Sequence, residues 1–277
     1  MKASQSLRRL ADRLFLQHQN SSSTRCFSTY YDSQSGLHVE INKEDEISLI
    51  LDVSNESTTS FVPMQLYKED SSSDMPDILK ELKSKGVTGA ILPPITFPRD
   101  IRNLETLQHI APPGFMFFTS LCHTPAIPFA ASPSLSMIVD YTASDEDNTQ
   151  SSARLKSHVE HGSSTTIKIN ATCKGSVGPI VIANRIATLI DHTGGGNFVW
   201  LPSEDEDDAD NLTQMFEELC YLDLPGKTMK SRLMVDSSNE EVVEEAMISG
   251  INKFVIDNEV QIGLVAEIAE EQGKAVI

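Results

Sequence analysis

Cationic side chains are scarce in this chain: 22 lysines and arginines stand against 40 acids, a formal net charge of −18 over 277 residues. A body this acidic repels phosphate backbones, so nucleic acid is not expected as a partner. Long apolar runs are also missing. No stretch approaches the roughly 18 consecutive apolar residues that cross a bilayer, and no membrane partner is expected. Cysteines are few and far apart (Cys26, Cys122, Cys173, Cys220), with no CxxC pair. That argues against a structural zinc site or a dense disulfide framework and for reduced thiols. His109, His123, His161 and His192 are scattered, without an HxxxH pair or acids at ligand spacing, so no metal is expected. Gly194-Gly195-Gly196 precedes a strand instead of linking a strand to the helix it feeds, and reads as a loop.

Such cations as there are cluster at the start. Residues 1–36 carry Lys2, Arg8, Arg9, Arg13 and Arg25 against Asp12 and Asp32. Leu7, Leu10 and Leu14 share one helical face there, with Arg8, Arg9 and Arg13 off it. An Arg- and Ser-rich, acid-poor amphipathic start is the pattern of an organelle transit peptide. Arg25-Cys26-Phe27-Ser28-Thr29 resembles a mitochondrial processing site, with cleavage soon after Phe27. The expectation is a mitochondrial targeting segment over 1–36, with plastid as the alternative, followed by one domain over 46–277.

From Glu46 onward short apolar runs alternate with amphipathic ones. Strands are predicted over 46–53, 88–92, 115–121, 135–141, 165–171, 198–201, 232–235, 253–256 and 274–277. Helices are predicted over 75–85, 151–160, 177–191, 210–222, 239–249 and 259–271. Gly86, Gly162, Gly226, Gly250 and Gly273 stand just beyond helical stretches, where a left-handed stop is needed. Strand–helix alternation implies parallel βαβ units. Nine strands fit an eight-stranded (βα)8 TIM-type barrel with one to spare. An open doubly wound sheet is the alternative, but its GxGxxG signature is absent after Asp52.

Against that frame Lys168 stands out, a lone cation in Thr165-Thr166-Ile167-Lys168-Ile169-Asn170-Ala171-Thr172. Core strands of parallel sheets run nearly all apolar, and a lysine is seldom fully buried without a partner. Aimed into a barrel, its amine would be desolvated, which favours the neutral, nucleophilic form that attacks a carbonyl carbon. Aimed outward, it would snorkel to solvent. Barrel active sites form at strand C-terminal ends, where Asp52, Asp140, Asn170, Thr172, Ser203, Glu204, Asp236 and Asp257 fall. An acid facing the lysine would hold its charge or take its proton. Asp236 and Asp257 are better read as N-caps of the helices that follow them; Asp52 is open to both readings. Cys122 lacks a sequence-level catalytic partner.

Thr166-Ile167-Lys168-Ile169-Asn170-Ala171-Thr172-Cys173-Lys174-Gly175 resembles the Ile-Lys-Ile-Pro-Ala-Thr-x-x-Gly segment of the transaldolase family, class I aldolase-type barrels with a Schiff-base lysine. Leu49-Ile50-Leu51-Asp52, Ser136-Met137-Ile138-Val139-Asp140 and Arg232-Leu233-Met234-Val235-Asp236-Ser237-Ser238-Asn239 are similar to further family segments in the same order. The resemblance implies Lys168 as the imine-forming residue and Asp52 as the general acid/base. It also implies Asn197 and Asp140 as substrate contacts. Aligning Ile182-Ala183-Asn184-Arg185-Ile186 as the strand between Leu201 and Arg232 would make Arg185 a phosphate contact. The pattern is broken at Pro93, where an active-site asparagine belongs, at Ile138, where an acid positions water, and at Ser238, where an arginine binds phosphate.

The function so implied is a transferase that forms a lysine imine with a ketose, cleaves it, and passes a three-carbon unit to an aldose. The partner is a small sugar phosphate, with no cofactor; a homo-oligomer is compatible with this reading. Two rivals stand beside it: a catalytically inactive barrel kept for binding or assembly, favoured by the three replacements, and a pyridoxal-phosphate barrel using the same lysine.

Overall fold

The computed structural model describes residues 27–31, 38–42, 46–54, 75–96, 98–121, 134–141, 148–169, 178–192, 198–202, 209–221, 223–224, 227–228 and 232–276. Eight parallel strands close into a ring: β1 (Glu46–Asp52), β2 (Val87–Ile91), β3 (Met116–Thr119), β4 (Leu135–Tyr141), β5 (Ser164–Ile169), β6 (Phe198–Pro202), β7 (Leu233–Asp236) and β8 (Lys253–Ile256), with β8 pairing back onto β1. Seven helices alternate with them among the described residues: α1 (Met75–Ser84), α2 (Pro98–Ile110), α3 (Thr149–Glu160), α4 (Pro179–His192), α5 (Ala209–Tyr221), α6 (Glu240–Ile248) and α7 (Glu259–Glu271). The fold is a (βα)8 TIM-type barrel, as the strand–helix rhythm predicts.

The pairing register gives the ring its geometry. Ile50 pairs with Gly89 and Gly89 with Met116; followed through all eight strands, the pairings return to β1 displaced by about eight residues, the stagger of an eight-stranded barrel. Alternation along the strands divides the apolar residues in two. Ile47, Leu49 and Leu51 of β1 join the large core between strands and helices. Ile50, Ile91, Phe118, Ile138, Trp200, Met234 and Val255, one from each of seven strands, form a separate cluster that fills the barrel interior. On β2 the interior position before Ile91 is Gly89. A Cβ there would lie 2.9 Å from the Met116 carbonyl oxygen and 3.1 Å from Phe118 Cε2, so its missing side chain makes room for the ring. Deeper in the interior, Ser136 and Thr166 satisfy one another across 2.8 Å.

Helix stops fall where the glycines predict. After α6, Gly250 adopts φ 87°, and its N–H and that of Ile251 bond the carbonyls of Met247 and Ala246 at 3.0 and 2.9 Å. This is a Schellman arrangement that satisfies the last carbonyls of the helix. Gly226 lies outside the described residues.

Several features differ from or add to the sequence reading. Helix α2 was not predicted; it begins at Pro98, a residue suited to the first helical turn, and Asp100 of that turn accepts from the Thr96 N–H at 3.0 Å. The segment 182–186, one alternative for a missing strand, lies in α4, and among the described residues between β6 and β7 the strands are the antiparallel pair Asp223–Leu224 and Lys227–Thr228, outside the ring. The ninth predicted strand is Ala275–Val276, which pairs with Glu46–Ile47 beside the barrel. At the start, Phe27–Tyr31 pairs with His38–Asn42 as a hairpin, partly within the segment read as a leader. The amphipathic stretch 1–26 lies outside the described residues.

Candidate active site at the C-terminal end of the barrel

Lys168 is the fifth residue of β5. Its register partners are Asp140 on β4 and Trp200 on β6, and residues paired across parallel strands share a face. Trp200 belongs to the interior cluster, and the Lys168 amine lies 3.9 Å from the centroid of its ring. The lysine therefore points into the barrel, half-buried, and does not splay outward among the helices. The indole face attracts the ammonium through its quadrupole, an interaction of about 1 kcal/mol that also fixes the direction of the side chain.

The other edge of the indole is engaged as well. Trp200 donates its ring N–H to Asp236 Oδ2 at 3.0 Å. Asp236 closes β7, two positions beyond the interior Met234, so the same alternation turns it inward. Burial pushes its carboxyl up to about 6 from an ordinary 3.8; the Trp200 hydrogen bond opposes the rise, Asp52 adds to it, Lys168 opposes it, and Asp257 adds a little more. Asp52, Lys168 and Asp257 thus all lie within electrostatic reach of this one carboxyl.

Asp52 ends β1 two residues beyond the interior Ile50 and is only 9% exposed. Its Oδ1 accepts from the Ser54 N–H at 2.8 Å, which holds the carboxylate in a local turn. Asp140 is exposed at the mouth; its backbone carbonyl accepts from the Ser151 hydroxyl at 2.6 Å. The structure thus brings Lys168, Asp52 and Asp140 to one end of the barrel. Asn170, Thr172, Asn197, Ser203, Glu204 and Cys122 lie outside the described residues. Arg185 is on α4, whose Ile182, Ala183 and Ile186 pack into the core between helices and strands. It belongs to the helix layer, and the strand alignment that made it a phosphate contact does not survive.

The N-cap reading of Asp236 and Asp257 is overturned. The side chain of Asn239 caps α6 by accepting from the Glu241 N–H at 2.9 Å, and that of Asn258 caps α7 by accepting from the Gln261 N–H at 3.0 Å. An asparagine follows each aspartate, three residues after Asp236 and one after Asp257, and that signal was present in Asp236-Ser237-Ser238-Asn239 and Asp257-Asn258. With capping supplied elsewhere, Asp236 is the site residue that sequence reasoning missed.

Of the three positions where the sequence departs from the transaldolase pattern, Ile138 fills the interior at 8% exposure. Pro93 follows β2, and its carbonyl accepts from the Thr119 hydroxyl at 2.9 Å. Ser238 is exposed. Among the described residues no group of three or more His, Cys, Asp or Glu side chains is placed to hold a metal ion.

No protein-family model matches the sequence, and no curated protein does either. Solved structures do match. A truncated form of 3-deoxy-D-arabino-heptulosonate 7-phosphate synthase from Thermotoga maritima superposes over 90% of this chain and 95% of its own, at 14% identity and a TM-score of 0.54. The chain shares that barrel fold. Hydroxymethylglutaryl-CoA lyase from Pseudomonas aeruginosa, 12% identical over 76% of each chain, reaches a TM-score of only 0.47. At such identities the likeness extends to fold alone, and the chemistry has to be argued from the site itself.

Proposed function

We propose that this barrel is a class I aldolase-type enzyme of the transaldolase kind, with Lys168 as the imine-forming nucleophile. The observation that carries the reading is the amine poised inside the barrel over Trp200, whose N–H is bound to a carboxyl that burial pushes up to about 6. Attack of the neutral amine on a ketose carbonyl forms a C–N bond. The carbonyl oxygen then takes up protons and leaves as water, which gives the imine. Asp236, part protonated and part ionised near pH 6, suits the delivery of that proton. Asp52 accepts the hydroxyl proton of the substrate as the adjacent C–C bond breaks, releasing an aldose; the electron pair is held as an enamine on Lys168. Addition of the enamine to a second aldose, followed by hydrolysis, completes transfer of a three-carbon unit.

The test is turnover of a ketose with an aldose acceptor, followed by the appearance of the second ketose. Lys168→Met should abolish it, and Asp236→Asn should lower kcat by about 10²–10⁴-fold. Full activity in Lys168→Met would overturn the reading.

A non-catalytic binding barrel is the second reading. It is favoured by Ile138, an apolar side chain where the family pattern carries a water-positioning acid. Ketose binding without turnover or imine formation would select it. We also propose that residues 1–36 direct mitochondrial import, to be tested by the location of a fluorescent protein fused to that segment.

A further inference from the structure

The N-terminal end of the barrel, opposite Lys168, holds a cation that the proposed chemistry does not use. Arg232 directly precedes β7. Among the described residues it is the one buried arginine or lysine, 5% exposed. Met234 two residues later belongs to the interior cluster, while Leu233 between them joins the outer core. Strand alternation therefore turns Arg232 inward, beneath Met234. Its Nε and Nη1 are buried and meet no hydrogen-bond partner among the described residues. Glu46, which opens β1 at this end, reaches neither nitrogen.

Neighbouring strands bring further donors to the same end. Ser48 on β1 and Lys253 on β8 are register partners, and each stands two residues before an interior side chain, Ile50 and Val255. The Lys253 ammonium donates to Asn252 Oδ1 at 3.1 Å. Ser164 opens β5, and its hydroxyl donates to Ser136 Oγ at 3.3 Å, so it faces inward too. Met116 and Phe198 pack against the interior cluster from this side. Ile138, Trp200 and Val255, each two residues further along its strand than Ser136, Phe198 and Lys253, fill the interior between the two ends. Along β5, Ser164 and Lys168 are on the order of 13 Å apart.

An arginine keeps its charge at any working pH. Withdrawn from water without a counter-ion, a guanidinium destabilises a fold far more than an ordinary buried polar group does. An oxyanion supplies the missing charge and accepts hydrogen bonds from guanidinium, ammonium and hydroxyl donors together. Donors arriving from three strands suit oxygens arranged as a tetrahedron better than the two coplanar oxygens of a carboxylate. We propose that this end of the barrel binds a phosphate-type oxyanion through Arg232, with Lys253, Ser48 and Ser164 around it, at a site separate from that of Lys168. The inference stands apart from the imine reading.

The experiment measures thermal unfolding of the full chain in chloride and in inorganic phosphate, at matched pH and ionic strength. Phosphate should raise the midpoint by about 3 °C or more and saturably, as a ligand of the folded state alone does. Lys168→Met should keep that rise, which places the anion away from the barrel mouth. Arg232→Met should lose it, and in chloride should unfold no lower than the parent chain, because an uncompensated buried charge has given way to an apolar side chain. Lys253→Gln, at a partly exposed position, supplies a second reading if Arg232→Met does not fold: phosphate affinity should fall about 10-fold with the fold kept. Acetate should raise the midpoint less than phosphate. No saturable response to phosphate, a response retained in Arg232→Met, unchanged affinity in Lys253→Gln, or a response lost in Lys168→Met overturns the proposal. A folded Arg232→Met chain that melts lower in chloride overturns it too, since the charge would then be compensated within the chain. Stronger stabilisation by acetate overturns the assignment to a phosphate-type ion.

Discussion

Trp200 donates its indole N–H to Asp236 across 3.0 Å while the Lys168 amine sits over the face of the same ring. One side chain in the barrel interior thus positions both the proposed nucleophile and the proposed acid. It joins β5, β6 and β7 at the end of the barrel where chemistry in this fold is done.

Asp236 makes the fold less stable as pH rises. Its folded-state carboxyl titrates near 6 and its ordinary value is 3.8, so the folded protein holds the proton more tightly than the unfolded chain. Relative to the protonated form, stability is fully present below about pH 3.8 and is lost as pH climbs through 6. Asp236→Asn keeps an acceptor for Trp200 and removes the charge. It should raise unfolding free energy at pH 8 by about 3 kcal/mol, with the gain vanishing near pH 4. Thermal or urea unfolding across that range checks this; a gain independent of pH would contradict it. The same substitution should cost activity, the usual trade at a working site.

Trp200→Phe should shift the titration of Asp236 further upward, because the indole hydrogen bond is the contact that opposes the burial effect most strongly. The loss of one such bond to a charged group predicts a rise of about one to two pH units. Carbon-13 NMR of aspartate carboxyls reads it directly. A fall in that value would mean the hydrogen bond does not hold the ionised form.

Gly89→Ala should destabilise the barrel by about 1–3 kcal/mol. Its Cβ would meet the Met116 backbone oxygen at 2.9 Å, and a strand carbonyl cannot swing aside as a flexible side-chain end can. Gly178→Ala, with nothing within 4 Å of the added atom, is the matched control. Equal urea midpoints for the two variants would show that the interior is looser than this packing implies.

The barrel was legible because its signals are local and repeated. Apolar strands such as Glu46–Asp52, amphipathic helices such as Met75–Ser84, and stop glycines such as Gly250 each follow from backbone geometry. Helix α2 escaped notice behind Leu92-Pro93-Pro94, which reads as a turn, although Leu104 and Leu107 keep helical spacing and are buried. In the site, Lys168 stood out because a charge on a buried strand is anomalous, whereas Asp236 did not, since an acid after a strand is an ordinary helix cap. Only tertiary structure separates the two cases: Asn239 takes the cap, and Trp200 comes from a neighbouring strand to claim the carboxylate. Charge convergence across strands β1, β5, β7 and the start of the chain beyond β8 has no signature along the sequence.

The most direct test is to supply the full chain with a ketose, reduce with borohydride, and map the modified residue. The account predicts a single secondary amine at Lys168, absent in Lys168→Met. A label on other lysines with Lys168 untouched, or none with any ketose offered, would contradict it.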